Sequence, residues 1–210
     1  MSKISKLRES SKTRLAIMEK HAFALETLVR EGPEEALNRL EILKGQLRDR
    51  LERTLESLGT LKGLPLETIA GLGYRLGRVA GVLEEGPASS AEAFRSQEER
   101  VIKAGRDLGT FYDENVSDAQ VGFGEMEAEV FMVAVALEAE YEALDQCFQL
   151  KEGGFLETLL IKNRDLILEE INAVKSKIQV ARDDPSLATA EFIGELSGDL
   201  AGIRSRFVVG

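Results

Sequence analysis

The chain has 210 residues, 43% of them hydrophobic and 30% charged, a globular rather than disordered composition and enough length to bury a substantial core in one domain or two small ones. Its 37 Asp/Glu against 27 Lys/Arg leave a formal net charge of −10, which argues against nucleic acid as a partner of the whole molecule, because phosphate contacts need a basic face. The single Cys147 cannot form an intramolecular disulfide, and Met1-Ser2-Lys3-Ile4-Ser5-Lys6-Leu7-Arg8 lacks the apolar core of a signal peptide. The longest apolar run, Val130 to Leu137, falls far short of the roughly 20 residues a membrane span needs. A cytoplasmic location is the expectation.

Taken in chain order, the apolar spacing predicts helices. Leu15, Met18, Ala22, Leu25 and Val29 step by three and four, the spacing of one helix face, and Gly32-Pro33 ends that helix and starts the next. The second carries a leucine stripe of the coiled-coil kind at Leu40, Leu43, Leu47, Leu51, Leu55, Leu58 and Leu61, with Arg48, Arg50, Arg53, Glu52 and Glu56 solvating the other side. After Gly63-Leu64-Pro65, a third helix follows with Ile69, Leu72, Leu76, Val79 and Leu83. Ser89 and Glu92 have the capping-box spacing and open a fourth, with Phe94, Val101, Ala104, Leu108 and Phe111 inward.

Asn115-Val116-Ser117-Asp118 is the expected break before a fifth helix that runs to about Lys151. Between Arg106 and Lys151 stand eleven acidic residues and no basic one. At 100° per residue, Asp118, Glu125, Glu129 and Glu140 fall on one side of this helix and Glu127, Glu138, Glu142 and Asp145 on the other, with two apolar stripes between them. A helix with two apolar flanks is expected to be central. Val130 to Leu137 also reads as a strand by apolarity alone, but the Ala and Glu around it continue a helix better. A sixth helix uses Leu156, Leu160, Ile167, Ile171, Val174 and Ile178. Beyond Asp183-Asp184-Pro185-Ser186 comes a seventh with Ile193, Leu196, Leu200, Ile203 and Phe207.

The expected fold is therefore all-α, an antiparallel bundle of about six to seven helices in a single domain over 1–210. Leu61 to Ile69 echoes Leu150 to Leu159, which suggests a pseudo-repeat of 1–86 and 89–182 with an added helix at 186–207, although two short helix starts agree by chance at least as readily. The two-trio arrangement resembles that of the phosphate-signalling PhoU proteins; their repeated acidic metal motif has no counterpart here, and nothing is carried over from them.

Signals for chemistry are sparse. A carboxylate di-metal site of the ferritin-like kind needs Glu-x-x-His pairs, and the single histidine, His21, sits in Glu19-Lys20-His21 without that spacing. A looser all-oxygen Mg²⁺ or Ca²⁺ site at Glu125 and Glu129 is conceivable, against the commoner role of solvated or salt-bridged glutamates. His21 and Cys147 are a candidate Cys-His pair, against core packing of the thiol beside Leu144 and Phe148. Gly71-Leu72-Gly73 with Gly77 lacks the preceding strand of a dinucleotide fingerprint. No catalytic, cofactor or metal residue is assigned, and no small-molecule substrate is inferred.

Gly73, Gly77 and Gly81 recur every four residues in the third helix, where each costs about 1 kcal/mol relative to Ala. Small residues at this spacing allow close helix approach, either within the fold or across an interface. Charge is also uneven. Residues 1–80 hold 15 Lys/Arg and 11 Asp/Glu, a balance of +4; residues 81–210 hold 12 and 26, a balance of −14. The acidic fifth helix is expected to pair with the basic segment of Lys3, Lys6, Arg8, Lys12, Arg14 and Lys20. The expected function is that of a non-enzymatic helical interaction or assembly protein, whose partner is another protein or a second copy of itself as a homo-oligomer. One alternative is a peripheral membrane-associating protein with a basic N-terminal helix restrained by its acidic second half; the other is a carboxylate-based metal-binding bundle.

Overall fold

The computed structural model describes residues 10–59, 64–116, 124–149 and 163–207, and within the third of these segments the side chains of 130–145. It is an all-α bundle with seven α-helices among the described residues: α1 (Ser11–Glu31), α2 (Pro33–Leu58), α3 (Leu66–Leu83), α4 (Ala91–Asn115), α5 (Gly124–Gln149), α6 (Arg164–Asp183) and α7 (Ala190–Arg204). A 3-10 turn, Pro185–Leu187, precedes α7.

Local chemistry sets most of the boundaries. The Ser10 hydroxyl accepts the Thr13 N–H and caps α1, a bond worth about 1 kcal/mol. Gly32, at φ 92°, ends α1 with its N–H on the Leu28 carbonyl, a backbone angle that a side chain would strain. Pro33 then opens α2, and Glu34 and Glu35 place negative charge in its first turn, where the helix dipole favours it. The cap of α4 is Ser90, which accepts from Ala93 N; this places Ala93 at the third helical position, so the box expected between Ser89 and Glu92 does not form. Helix α7 starts at Ala190, four residues later than expected, because Asp184 caps the short turn at Pro185 and Thr189 separately caps α7 through Phe192 N. The run Val130 to Leu137 lies wholly within α5, the helical alternative.

Two compact units are present among the described residues, one within 41–134 and the other within 10–40 and 135–207. They are called unit 1 and unit 2. The division falls inside α2 and α5, and residue 87, near which a repeat boundary was expected, lies within unit 1. The second copy of the sequence echo, Leu150 to Leu159, and the first three residues of the other, Leu61 to Gly63, lie outside the described residues.

In unit 1, α3 packs on α4. The core gathers Leu43, Leu47, Leu51 and Leu58 of α2, Leu72, Leu76, Val79 and Leu83 of α3, and Phe94, Ala104 and Tyr112 of α4. In unit 2, α1, α6 and α7 pack pairwise, with Leu15, Ala22, Leu25, Leu28 and Val29 set against Ile167, Ile171, Val174 and Ile178 and against Ile193, Leu196, Leu200 and Ile203. From Val135 to Leu144 of α5 only Glu138 is exposed, so this part of the helix is enclosed on nearly every side. Each buried Leu or Ile contributes about 1.5–3 kcal/mol through the apolar surface it removes from water, and the stripes that the 3.6-residue period marks are the ones that meet.

Candidate functional site

The acidic stretch of α5 that lies in unit 2 presents two carboxylates in different surroundings. Glu142 is held by α7 and α1. Arg204 donates to it through both terminal nitrogens, at 2.8 and 2.7 Å, and His21 Nδ1 lies 2.8 Å from its Oε2. Arg204 Nη2 is also 2.9 Å from the same histidine nitrogen; an Nδ1–H that donates to the carboxylate has no lone pair left for the guanidinium, so Glu142 is the shared acceptor of both side chains. Burial pushes the Glu142 carboxyl up, but the His21 hydrogen bond and the charges of Arg204 and His21 outweigh it and hold the group below the usual carboxylate range.

Glu140, two residues earlier, is 1% exposed. Its Oε1 makes an ion pair with Arg39 Nε of α2, while its Oε2 has no hydrogen-bond partner among the described residues. Arg39 in turn lies over the Phe23 ring of α1, 4.0 Å from guanidinium carbon to ring centre. Burial raises the Glu140 carboxyl to about 7 against the opposing pull of Arg39, and the Glu31 charge adds to the rise. The helical wheel had placed Glu140 on a polar side matching that of Glu138 and Glu142. Packing separates them: Glu140 is buried, Glu142 is half-buried and Glu138 is exposed.

Elsewhere in unit 2, the helices are tied at the surface. Glu26 binds Lys175 at 2.7 Å and Arg30 at 2.8 Å, and although burial raises its carboxyl, these two cations bring it below the usual range. Arg182 makes a two-toothed pair with Glu19, at 2.6 and 2.7 Å. The groove of about 450 Å³ along α1 and α6 is lined by Glu19, Lys175, Ser176 and Arg182 among others, and its two cations are thereby already neutralised.

Unit 1 has its own polar knot. Lys44, also 1% exposed, donates to both Glu41 oxygens at 2.9 and 3.1 Å and to the Glu85 carbonyl at 2.5 Å. Gln97 donates to the Glu85 and Gly86 carbonyls, and Arg100 pairs with the Glu85 carboxylate at 2.5 Å, so the turn between α3 and α4 is fastened from two helices. Nothing in the sequence marked Lys44 out, because a lysine in a charge-rich helix reads as solvated. One turn of α3 also meets α4 closely: the Arg75 guanidinium covers the Phe111 ring at 3.9 Å, and a Cβ added at Gly71 would lie 2.3 Å from that ring.

Of the two roles open to the glycine series, close packing within the fold is not seen among the described residues. A Cβ at Gly73 would meet only Leu58 and Leu55 at ordinary contact distance, and at Gly77 and Gly81 it would meet nothing within 4 Å. The close approach is at Gly71, which lies outside that series. A second series, Gly194, Gly198 and Gly202 on α7, is likewise open to space on the Cβ side at every position. Its four-residue spacing was readable in the sequence.

The remaining expected residues divide between two fates. Glu125, Glu129 and Cys147 lie outside the described side chains, as do Lys3, Lys6 and Arg8, so neither the cation site nor the Cys-His pair is placed. His21 has Glu142 and Arg204 as its described neighbours. The described ion pairs of Glu140 and Glu142 on this helix are with Arg39, His21 and Arg204, drawn from three helices. Among the described residues, no three His, Cys, Asp or Glu side chains come together as metal ligands would, and no helix is long and apolar enough to cross a membrane. No protein-family model, no curated protein and no solved structure matches the chain.

Proposed function

We propose that this protein is a helical interaction module that self-associates, and that its activity is binding rather than catalysis. What carries the reading is the pair of glycine series, Gly73/Gly77/Gly81 on α3 and Gly194/Gly198/Gly202 on α7. Three glycines inside a helix cost roughly 3 kcal/mol relative to alanine. Five of these six have no neighbour within 4 Å of the missing Cβ among the described residues, so no described packing offsets that cost. Small residues four apart leave a shallow trough along a helix, into which a second helix backbone can settle. The α3 face around this trough also exposes Leu66 and Tyr74, at 84% and 66%.

Solution mass over a concentration series tests the reading. The parent is expected to form a discrete oligomer in the micromolar range. Gly77→Leu with Gly81→Leu, and separately Gly198→Leu with Gly202→Leu, should shift it toward the monomer while preserving or raising its melting temperature, because leucine is the better helix former and its Cβ meets no described atom within 4 Å. A parent that stays monomeric to about 100 μM, far above the micromolar Kd expected of a specific contact, would remove the proposal. Co-sedimentation of that monomer with anionic vesicles would replace it with a membrane-surface role.

A further inference from the structure

Two charged side chains are fully buried among the described residues, and they are treated differently. Lys44 has three acceptors around its ammonium. Glu140 has a single ionic partner for one oxygen and none for the other. That partner, Arg39, is 29% exposed and rests on the 39%-exposed Phe23 ring, so the guanidinium stands at the rim of the site with water on its outer side. The charged groups that face Glu140 are therefore Arg39 of α2 and, in opposition, Glu31 at the end of α1. On its own helix, Glu142 is already engaged by His21 and Arg204.

A buried carboxylate with one open oxygen, one retractable counter-charge and one repelling neighbour gains little from ionisation, and the protonated form needs no counter-ion at all. We propose that Glu140, Arg39 and Phe23 form a proton-operated latch that joins α5, α2 and α1 of unit 2. With Glu140 ionised, the guanidinium is held between carboxylate and ring. When Glu140 takes a proton from solvent past the rim, the ion pair is lost and Arg39 is free to turn to water.

The sign of the pH response follows from burial. The folded chain holds the Glu140 proton to about pH 7, whereas an unfolded glutamate releases it near 4.5, so the folded state binds the proton more tightly and this group's stabilisation falls as pH rises from about 5 to 8. Glu26 and Glu142 shift in the other direction, and their stabilisation is present above 4.5 and lost only on further acidification. The windows are separate.

The experiment uses the full chain in a His21→Gln background, which removes the single histidine. Melting temperature is followed from pH 5 to 8, together with the Arg39 side-chain N–H signal in the NMR spectrum. The background protein should lose several degrees across this range, with the Arg39 N–H exchanging far more slowly than a free guanidinium at pH 8 and at the free rate for that pH at 5.5. Adding Glu140→Gln should flatten the melting profile, raise it at pH 8 and leave Arg39 exchanging at the free rate throughout. Equal pH slopes with and without Glu140, or an Arg39 protection indifferent to pH, would overturn the latch. The carboxyl carbon shift of Glu140 in the unaltered chain gives a reading that needs no variant: a titration midpoint near 7 supports the latch, and one near 4.5 refutes it.

Discussion

Gly71 and Gly77 lie six residues apart on α3 and should answer one added methyl group in opposite ways. At Gly71 the new Cβ would fall 2.3 Å from the Phe111 ring, which the Arg75 guanidinium already covers, so the ring must move and the stack with it. Gly71→Ala is expected to lose about 1–3 kcal/mol, the usual range for an overpacked contact. Gly77→Ala meets nothing and should gain up to about 1 kcal/mol from helix propensity. Denaturant titration of the monomer checks both, and equal signs would mean that the local packing differs from that seen here. In the sequence the two glycines look alike, because what separates them is an aromatic side chain forty residues away. The same limit hid Lys44 and Glu140: composition counts charges, while burial depends on which neighbouring helix arrives.

The helices themselves were legible. The stripe of α2 was read from its period, and Leu40, Leu43, Leu47, Leu51 and Leu58 are buried as that period requires. Leu51→Ala should accordingly cost about 2–5 kcal/mol, as truncation of a fully buried leucine does, and a loss under about 1 kcal/mol would move that face to the surface. Caps were less legible than faces. Two adjacent serines, Ser89 and Ser90, offer the same hydroxyl, and only the backbone angle decides which one accepts the helix N–H. At α7 the expected start at 186 failed because Asp184 and Thr189 each cap their own short segment. Thr189→Ala should remove one of these caps at a cost of about 1 kcal/mol, read as increased amide exchange in the first turn of α7.

Over the whole molecule, a charge of −10 raises the question of what restrains the acidic half. Composition pointed to the densest basic segment, whereas the described ion pairs of α5 use Arg39 and Arg204, isolated cations on separate helices. The two sources differ in range. A pair in contact within partly buried surroundings is weakly screened, while attraction from a distant basic segment is largely gone at about 0.15 M ionic strength, where the Debye length is roughly 8 Å. Replacing Lys3, Lys6, Arg8, Lys12, Arg14 and Lys20 with Gln changes the net charge from −10 to −16; replacing only Arg39 and Arg204 changes it from −10 to −12. If net charge governed, the sixfold variant would be the less stable. If contact governs, the double variant should lose more, about 2 kcal/mol or roughly 4–8 °C, at pH 8 and at low and high salt alike, with the sixfold deficit fading above about 0.5 M salt. Thermal melts of the parent and both variants at two salt concentrations decide between them. A sixfold deficit that exceeds the double one and persists in high salt would place the specific counter-charge of α5 in the basic segment after all.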